Sequence, residues 1–231
     1  YPGLFNTNGT TDGKLVTITG TNFGPVDDGN DAIAVYQNAT LSSTYAKGEF
    51  TGVACVVTVN HTQITCKPSV GAGKDQAWKV TVGDQQSVSS VGVSSYTAPA
   101  ISGLSGLSSF KTDGTDSALV TITGTNFGVV DDDNVAIAVY QNGGLSSAYA
   151  SGEFTARDCV VSVAHTKITC KPAEAGAGKD QAWKVTMGDQ QSLASSDTTS
   201  YTAPAISGLS GLLSFKTDGS DSALVTITGT N

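Results

Sequence analysis

LVTITGTNFG occupies residues 15–24, returns at 119–128, and its first eight residues return again at 224–231. A segment recurring at intervals of 104 and 105 residues marks the chain as an array of repeats before any other feature is read. Aligned from Thr11 to Pro68 against Thr115 to Pro172, the first two copies need no gap, and about three-quarters of the positions are identical. The joints read SSYTAPAISGLSGL and TSYTAPAISGLSGL, with Pro99 and Pro204 each set between a Tyr-Thr-Ala strand end and the next unit. They divide the chain into repeat 1 at 1–100, repeat 2 at 101–205, and the opening strands of a truncated third repeat at 206–231. Joints this short imply stacked units more than loosely tethered ones. Asn231 matches Asn22 and Asn126, which stand mid-unit before Phe-Gly, so the sequence reads most simply as a window onto a longer array, and less simply as one whose trailing strands at 206–231 complete a neighbouring chain by strand addition.

Within each unit the apolar residues alternate with period two, the pattern of half-buried strands. Val16 and Ile18 share one face of LVTITG, with Thr17 and Thr19 on the other. Ile33 and Val35 oppose Ala34 and Tyr36, and Trp78, Val80 and Val82 oppose Lys79 and Thr81. Trp183, Val185 and Met187 repeat the last set in the second unit. Several short alternating strands separated by turn signals predict an all-β antiparallel sandwich. An exposed Trp on a sheet could stack on a sugar, but each Trp here shares its face with valines, which favours the core.

Composition agrees with the strands and excludes several functions. Charged residues are 14% of the chain, too few for the Glu- and Lys-rich surfaces of helices. The net charge of -8 repels phosphate backbones, and no Lys/Arg cluster supplies counterion release, so nucleic acid is not a partner. No apolar run reaches the ~20 residues of a membrane span, and the N-terminus lacks a basic-then-apolar leader, so the reading is of mature chain without membrane insertion.

The four cysteines lie in CVVTVNHTQITC and CVVSVAHTKITC, Cys55 with Cys66 and Cys159 with Cys170. Four cysteines allow three pairings. A hairpin turning at Asn60-His61, or at Ala164-His165, sets Cys55 opposite Cys66 and Val57 opposite Ile64, within reach of a disulfide. Pairing inside each unit follows, and a disulfide points to an oxidising, extracellular compartment. Zinc would require closer cysteine spacing and more ligands than one His per unit.

Taken together, these residues resemble the IPT/TIG family of immunoglobulin-like domains, found in plexins, in growth-factor-receptor kinases, in many surface proteins and in some transcription factors. The resemblance rests on LVTITGTNFG, on AIAVY, on the Cys pair followed by Lys-Pro at 67–68 and 171–172, on GAGKDQAWKVTVGDQQS, and on the closing SYTAPAI. It covers both complete units and implies tandem IPT/TIG β-sandwiches. Acidic charge and paired cysteines argue against the DNA-binding branch. The stretch from Asn38 to Thr51, with its counterpart from Asn142 to Thr155, reads as an insertion relative to the family pattern.

Catalytic residues are scarce. His61 and His165 sit at predicted turns, and the only glutamates are Glu49, Glu153 and Glu174, so neither a nucleophile with its base nor a two-carboxylate site is indicated. The chain is not expected to be an enzyme or to hold a cofactor. The acidic loops PVDDGNDA and VVDDDNVA offer Asp27, Asp28, Asp31, Asp131, Asp132 and Asp133 as calcium candidates, although their spacing is not that of an EF-hand. A solvated acidic turn is the simpler reading. Asn-x-Thr acceptors for glycans stand at Asn8, Asn38 and Asn60; Asn60 at a hairpin tip and Asn38 after a strand are expected to be exposed.

Two functions remain. In the first, uniform units stack into a rod, stalk or extracellular fibre whose partners are neighbouring repeats and further copies of the chain, with covalent glycans. In the second, the chain is an adhesin or receptor ectodomain, which would require divergence concentrated at binding loops. The differences are scattered, as in Lys47 against Ser151, Val53 against Arg157 and Ala54 against Asp158, and they favour the structural role.

Overall fold

The computed structural model describes residues 4–5, 7, 14–26, 32–38, 49–130, 136–142, 152–173, 175–211, 214, 216–220 and 222–231. Every regular element among them is a β-strand. The first unit carries β1 (Leu4–Phe5), β2 (Val16–Thr19), β3 (Ile33–Asn38), β4 (Phe50–Thr51), β5 (Val53–Val59), β6 (Gln63–Lys67), β7 (Gln76–Val82), β8 (Gln85–Gln86) and β9 (Val93–Tyr96). The second carries β10 (Ala100–Gly106), β11 (Ser109–Phe110), β12 (Val120–Thr125), β13 (Ile137–Gln141), β14 (Phe154–Thr155), β15 (Arg157–Val163), β16 (Lys167–Lys171), β17 (Gln181–Met187), β18 (Gln190–Gln191) and β19 (Thr198–Tyr201). Two further strands, β20 (Ala205–Gly211) and β21 (Val225–Thr230), follow.

Each unit is two sheets over one core. One sheet orders β1-β9-β7-β3-β4 with β8 beside β7, and its counterpart orders β11-β19-β17-β13-β14 with β18 beside β17. The short strands β1 and β11 pair parallel with β9 and β19. The opposing sheet is β2-β6-β5 in the first unit and β10-β12-β16-β15 in the second.

The cysteine hairpins form in the expected register, with Val56 opposite Thr65 and Val57 opposite Ile64. A register shift after Val53, where Ala54 takes a positive φ of 50°, swings the chain inward. The Cα atoms of Cys55 and Cys66 then lie 4.1 Å apart and the two residues are disulfide-bonded, as are Cys159 and Cys170 at 4.2 Å. The tip turns through His61, whose φ is 64°, and the Thr62 N–H closes the turn on the Val59 carbonyl at 3.1 Å.

Alternation decides burial on β12, where Val120 and Ile122 are buried and Thr121 and Thr123 are half-buried. On β3 the inward face is Ala34 and Tyr36, while Ile33 is 52% exposed. Hydrophobicity alone would have turned Ile33 inward; aromatic packing and a hydroxyl partner reverse it. Tyr36 stands opposite Trp78 in the β3–β7 register and stacks on it at 4.1 Å. Phe50 stacks on the other side of Tyr36 at 5.3 Å, and Phe5 meets Trp78 edge-on. Such aromatic pairs add about 0.5–1.5 kcal/mol each beyond their area burial. Both tryptophans are core residues, and the Trp78 Nε1 donates to Ser94 Oγ at 2.8 Å.

The polar atoms of this aromatic cluster are satisfied. The Ser69 N–H donates to the Tyr36 hydroxyl at 2.8 Å, the Tyr36 and Tyr96 hydroxyls bond at 2.7 Å, and the Tyr96 hydroxyl donates to the Ser69 carbonyl at 3.0 Å. In the second unit the Ala173 N–H, Tyr140 and Tyr201 repeat the chain. This ties the segment leaving β6, which belongs to one sheet, onto two strands of the other. Burial keeps the Tyr96 and Tyr201 phenols protonated well beyond the ordinary tyrosine range, with the partner hydroxyl adding to the effect. Tyr36→Phe removes the central hydroxyl and strands the Ser69 N–H. Chemical denaturation should then show a loss of about 1–3 kcal/mol in the first unit, and Tyr140→Phe should do the same in the second.

Candidate functional site: the junction between units

The second unit presents three turns to the base of the first. The turn after β12 brings Asn126, whose Nδ2 donates to the Ala98 carbonyl at 3.1 Å. The cysteine hairpin brings His165, whose Nδ1 shares a hydrogen bond of 2.9 Å with Thr7 Oγ1. The β17–β18 turn brings Gln190, whose Nε2 donates to the Tyr96 carbonyl at 2.8 Å, and Gly188. A Cβ on Gly188 would lie 2.5 Å from Gly73 Cα, so only glycine permits this backbone contact. Ala72 of the first unit also packs against the second unit's core.

Local sequence explains how the turns are held. His61 and His165 both have φ of 64°, and each donates its backbone N–H to a glycine carbonyl, Gly24 or Gly128, at 2.6 Å. Each also accepts from a phenylalanine N–H, Phe23 or Phe127. The Asn-Phe-Gly loop and the hairpin tip are thus one rigid surface in each unit. Burial pushes the His165 pKa below the ordinary histidine range, which keeps the ring neutral against Thr7 at neutral pH.

Both histidines stand on turns as the sequence indicated, but His165 is also a junction residue, which the sequence did not reveal. Asp27, Asp28, Asp31, Asp131, Asp132 and Asp133 lie outside the described residues, as does Asn8, and most of the insertion from Asn38 to Thr51 and its counterpart does too. Asn38 corrects an expectation. It is the last residue of β3, opposite Gln76, and only 6% exposed, because it falls on the Ala34–Tyr36 face that aromatic packing turns inward. Asn60 is exposed at the hairpin tip, and its Oδ1 accepts the Val26 N–H at 2.8 Å. The junction residues Thr7, Asn126, Gly188 and Gln190 escaped the sequence reading. Their one available signal was a Gly-Asp-Gln-Gln turn left identical in both units although it caps an exposed hairpin.

Two sheets, antiparallel but for one short edge strand, around an aromatic core, with a disulfide across one hairpin, define an immunoglobulin-like β-sandwich. Residues 3–96 match the model of the IPT/TIG domain family, and the first unit of this chain belongs to that family. The second unit repeats its sequence, the strand order of its larger sheet and its disulfide. No curated protein matches the chain. IPT/TIG domains are typically non-enzymatic and commonly extracellular, and the two disulfides are consistent with an oxidising compartment.

A pair of glycines isolates the junction. Gly83 and Gly188 occupy equivalent turns with φ of 53° and 50°, but a Cβ on Gly83 meets nothing within 4 Å. An alanine costs the same backbone strain at both sites. In thermal unfolding, Gly188→Ala should therefore destabilise more than Gly83→Ala, the excess reporting the contact with Gly73.

Proposed function

We propose that this chain is part of an extracellular structural protein, in which IPT/TIG units stack end to end into a rod, stalk or fibre. The observation that carries this reading is the junction. It is made of two side-chain bonds to backbone carbonyls, the His165–Thr7 side-chain bond and a glycine–glycine contact, and it joins surfaces that both complete units carry. Tyr201, Gly178 and Thr112 repeat Tyr96, Gly73 and Thr7 at the base of the second unit, and Asn22, His61 and Gln85 repeat Asn126, His165 and Gln190 at the tip of the first. A uniform joint generates a uniform array, whose stability is a sum over units and their interfaces. Charge supports a solvated surface: the excess of carboxylates spreads along the chain and opposes non-specific association.

Glycans belong to this reading at Asn60. Its Oδ1 holds the Val26 N–H, and its Nδ2, the atom that carries a sugar, needs no change of rotamer to be modified. Intact-mass measurement on secreted protein should show Asn60→Gln losing one glycan, whereas Asn38→Gln should leave the mass distribution unchanged apart from the residue itself.

Small-angle scattering tests the rod. The 231-residue chain should fit one extended body with the cross-section of a single sandwich. A distribution of interunit distances fitting freely jointed units would overturn the reading.

A further inference from the structure

Between the two complete units one stretch departs from the scatter of their other differences. Val91, Gly92, Val93 and Ser94 of the first unit give way, at four successive positions, to Ser196, Asp197, Thr198 and Thr199 of the second. Recognition by a single unit concentrates divergence in this way, and here it does so while the residues of the joint stay the same in both units. In the second unit these four residues form one wall of a cleft of about 370 Å³, and Leu104, Ser105, Leu107 and Ser108 form the other. The cleft shares no residue with the junction and so lies apart from the contacts between units. Its volume falls within the roughly 300–1,000 Å³ of small-molecule sites.

The diverged wall is fixed to β17. Ser192 and Ser195 each pair with that strand twice: their N–H groups donate to the Val185 and Trp183 carbonyls at 2.8 Å, and their hydroxyls accept the N–H groups of the same two residues at 3.0 and 2.9 Å. Ser195 Oγ donates onward to the Asp197 carbonyl at 2.6 Å, and Thr199 Oγ1 accepts the Trp183 indole N–H at 2.9 Å. The Asp197 side chain reaches across to the opposite wall, where its Oδ2 accepts the Leu104 N–H at 3.0 Å. A ligand entering walls held in this way has little left to order, which lowers the entropy cost of binding.

We propose that this cleft is a binding site for a neutral saccharide. Ser105, Ser108, Ser196 and Thr198 are exposed, and each hydroxyl both donates and accepts, as the hydroxyls of a sugar do. The Asp197 carboxylate only accepts, and its bond to Leu104 takes one of roughly four acceptor positions. Leu104 and Leu107, half-buried against the core, supply an apolar floor for the C–H face of a sugar ring. The carboxylate and the net charge of -8 disfavour phosphorylated or acidic ligands. The first unit, with Val91, Gly92 and Val93 at the matching positions, offers neither the hydroxyls nor the carboxylate, so the site belongs to the second unit. This goes beyond the stacked-array reading and does not depend on it.

Magnetic resonance of the nitrogen-labelled full chain tests the assignment. Titration with maltotriose, cellotriose and mannotriose should give, for at least one of them, saturable shifts confined to residues 104–108 and 196–199 and absent from residues 91–94. The dissociation constant expected for one open cleft is on the order of 1 mM. A Ser196→Val, Thr198→Val double variant takes the first unit's residues at these positions and keeps Asp197 with its bond to Leu104. It should weaken binding about tenfold, through the loss of two hydroxyl partners, while thermal unfolding stays as in the parent. Absence of a saturable shift with all three sugars, shifts that fall outside the cleft, or undiminished binding by the double variant would overturn the site. A response of the same residues to calcium chloride and to none of the sugars would overturn it as well.

Discussion

The hydroxyl bond between Tyr36 and Tyr96 is the point through which the rest of the first unit is connected. Tyr36 stacks on Trp78 and so fixes which face of β3 looks inward. Its hydroxyl fastens the segment leaving β6 to the opposite sheet through Ser69. Tyr96 then carries the same constraint out of the core, because its backbone carbonyl receives Gln190 of the next unit. One residue therefore belongs to the aromatic core, to the intersheet tie and to the junction. The second unit has the same set in Tyr140, Trp183 and Tyr201. Glycine is required where the tie passes closest: a Cβ on Gly71 would fall 2.7 Å from the Tyr96 hydroxyl.

The disulfide serves a different purpose from this tie. It joins two adjacent strands of one sheet and leaves the sheets free of covalent connection, so the sandwich is held shut by packing and hydrogen bonds alone. What the bond secures is the hairpin whose tip meets the neighbouring unit. In the chain-entropy picture a loop of this size lends roughly 2–3 kcal/mol. That stabilisation bears on the element whose histidine turn must keep its shape for the junction to form.

The architecture was largely legible in the residues. Period-two alternation located the strands, and the cysteine interval implied the hairpin and its pairing. Alternation could not say which face of β3 points inward, because an aliphatic pair and an Ala-Tyr pair compete, and the outcome depends on Trp78 and Tyr96 lying across the sheet. Asn38 was misread for the same reason: its exposure follows from a decision made two and four residues earlier. The junction was hidden more deeply. Thr7, Gly188 and Gln190 are ordinary turn and loop residues, and only three-dimensional stacking brings them within reach of Tyr96, Gly73 and His165.

The path of the chain through the joint bears on how such a molecule would carry a mechanical load. Strand β9 ends at Tyr96 and β10 begins at Ala100, with Pro99 between them and little slack to draw out. A pull along the chain thus enters β10 lengthwise. The hydrogen bonds between β10 and β12 lie across the strands, over six paired positions. Loaded in that direction they resist together in shear and do not unzip singly, so tension would meet its stiffest element just beyond each joint.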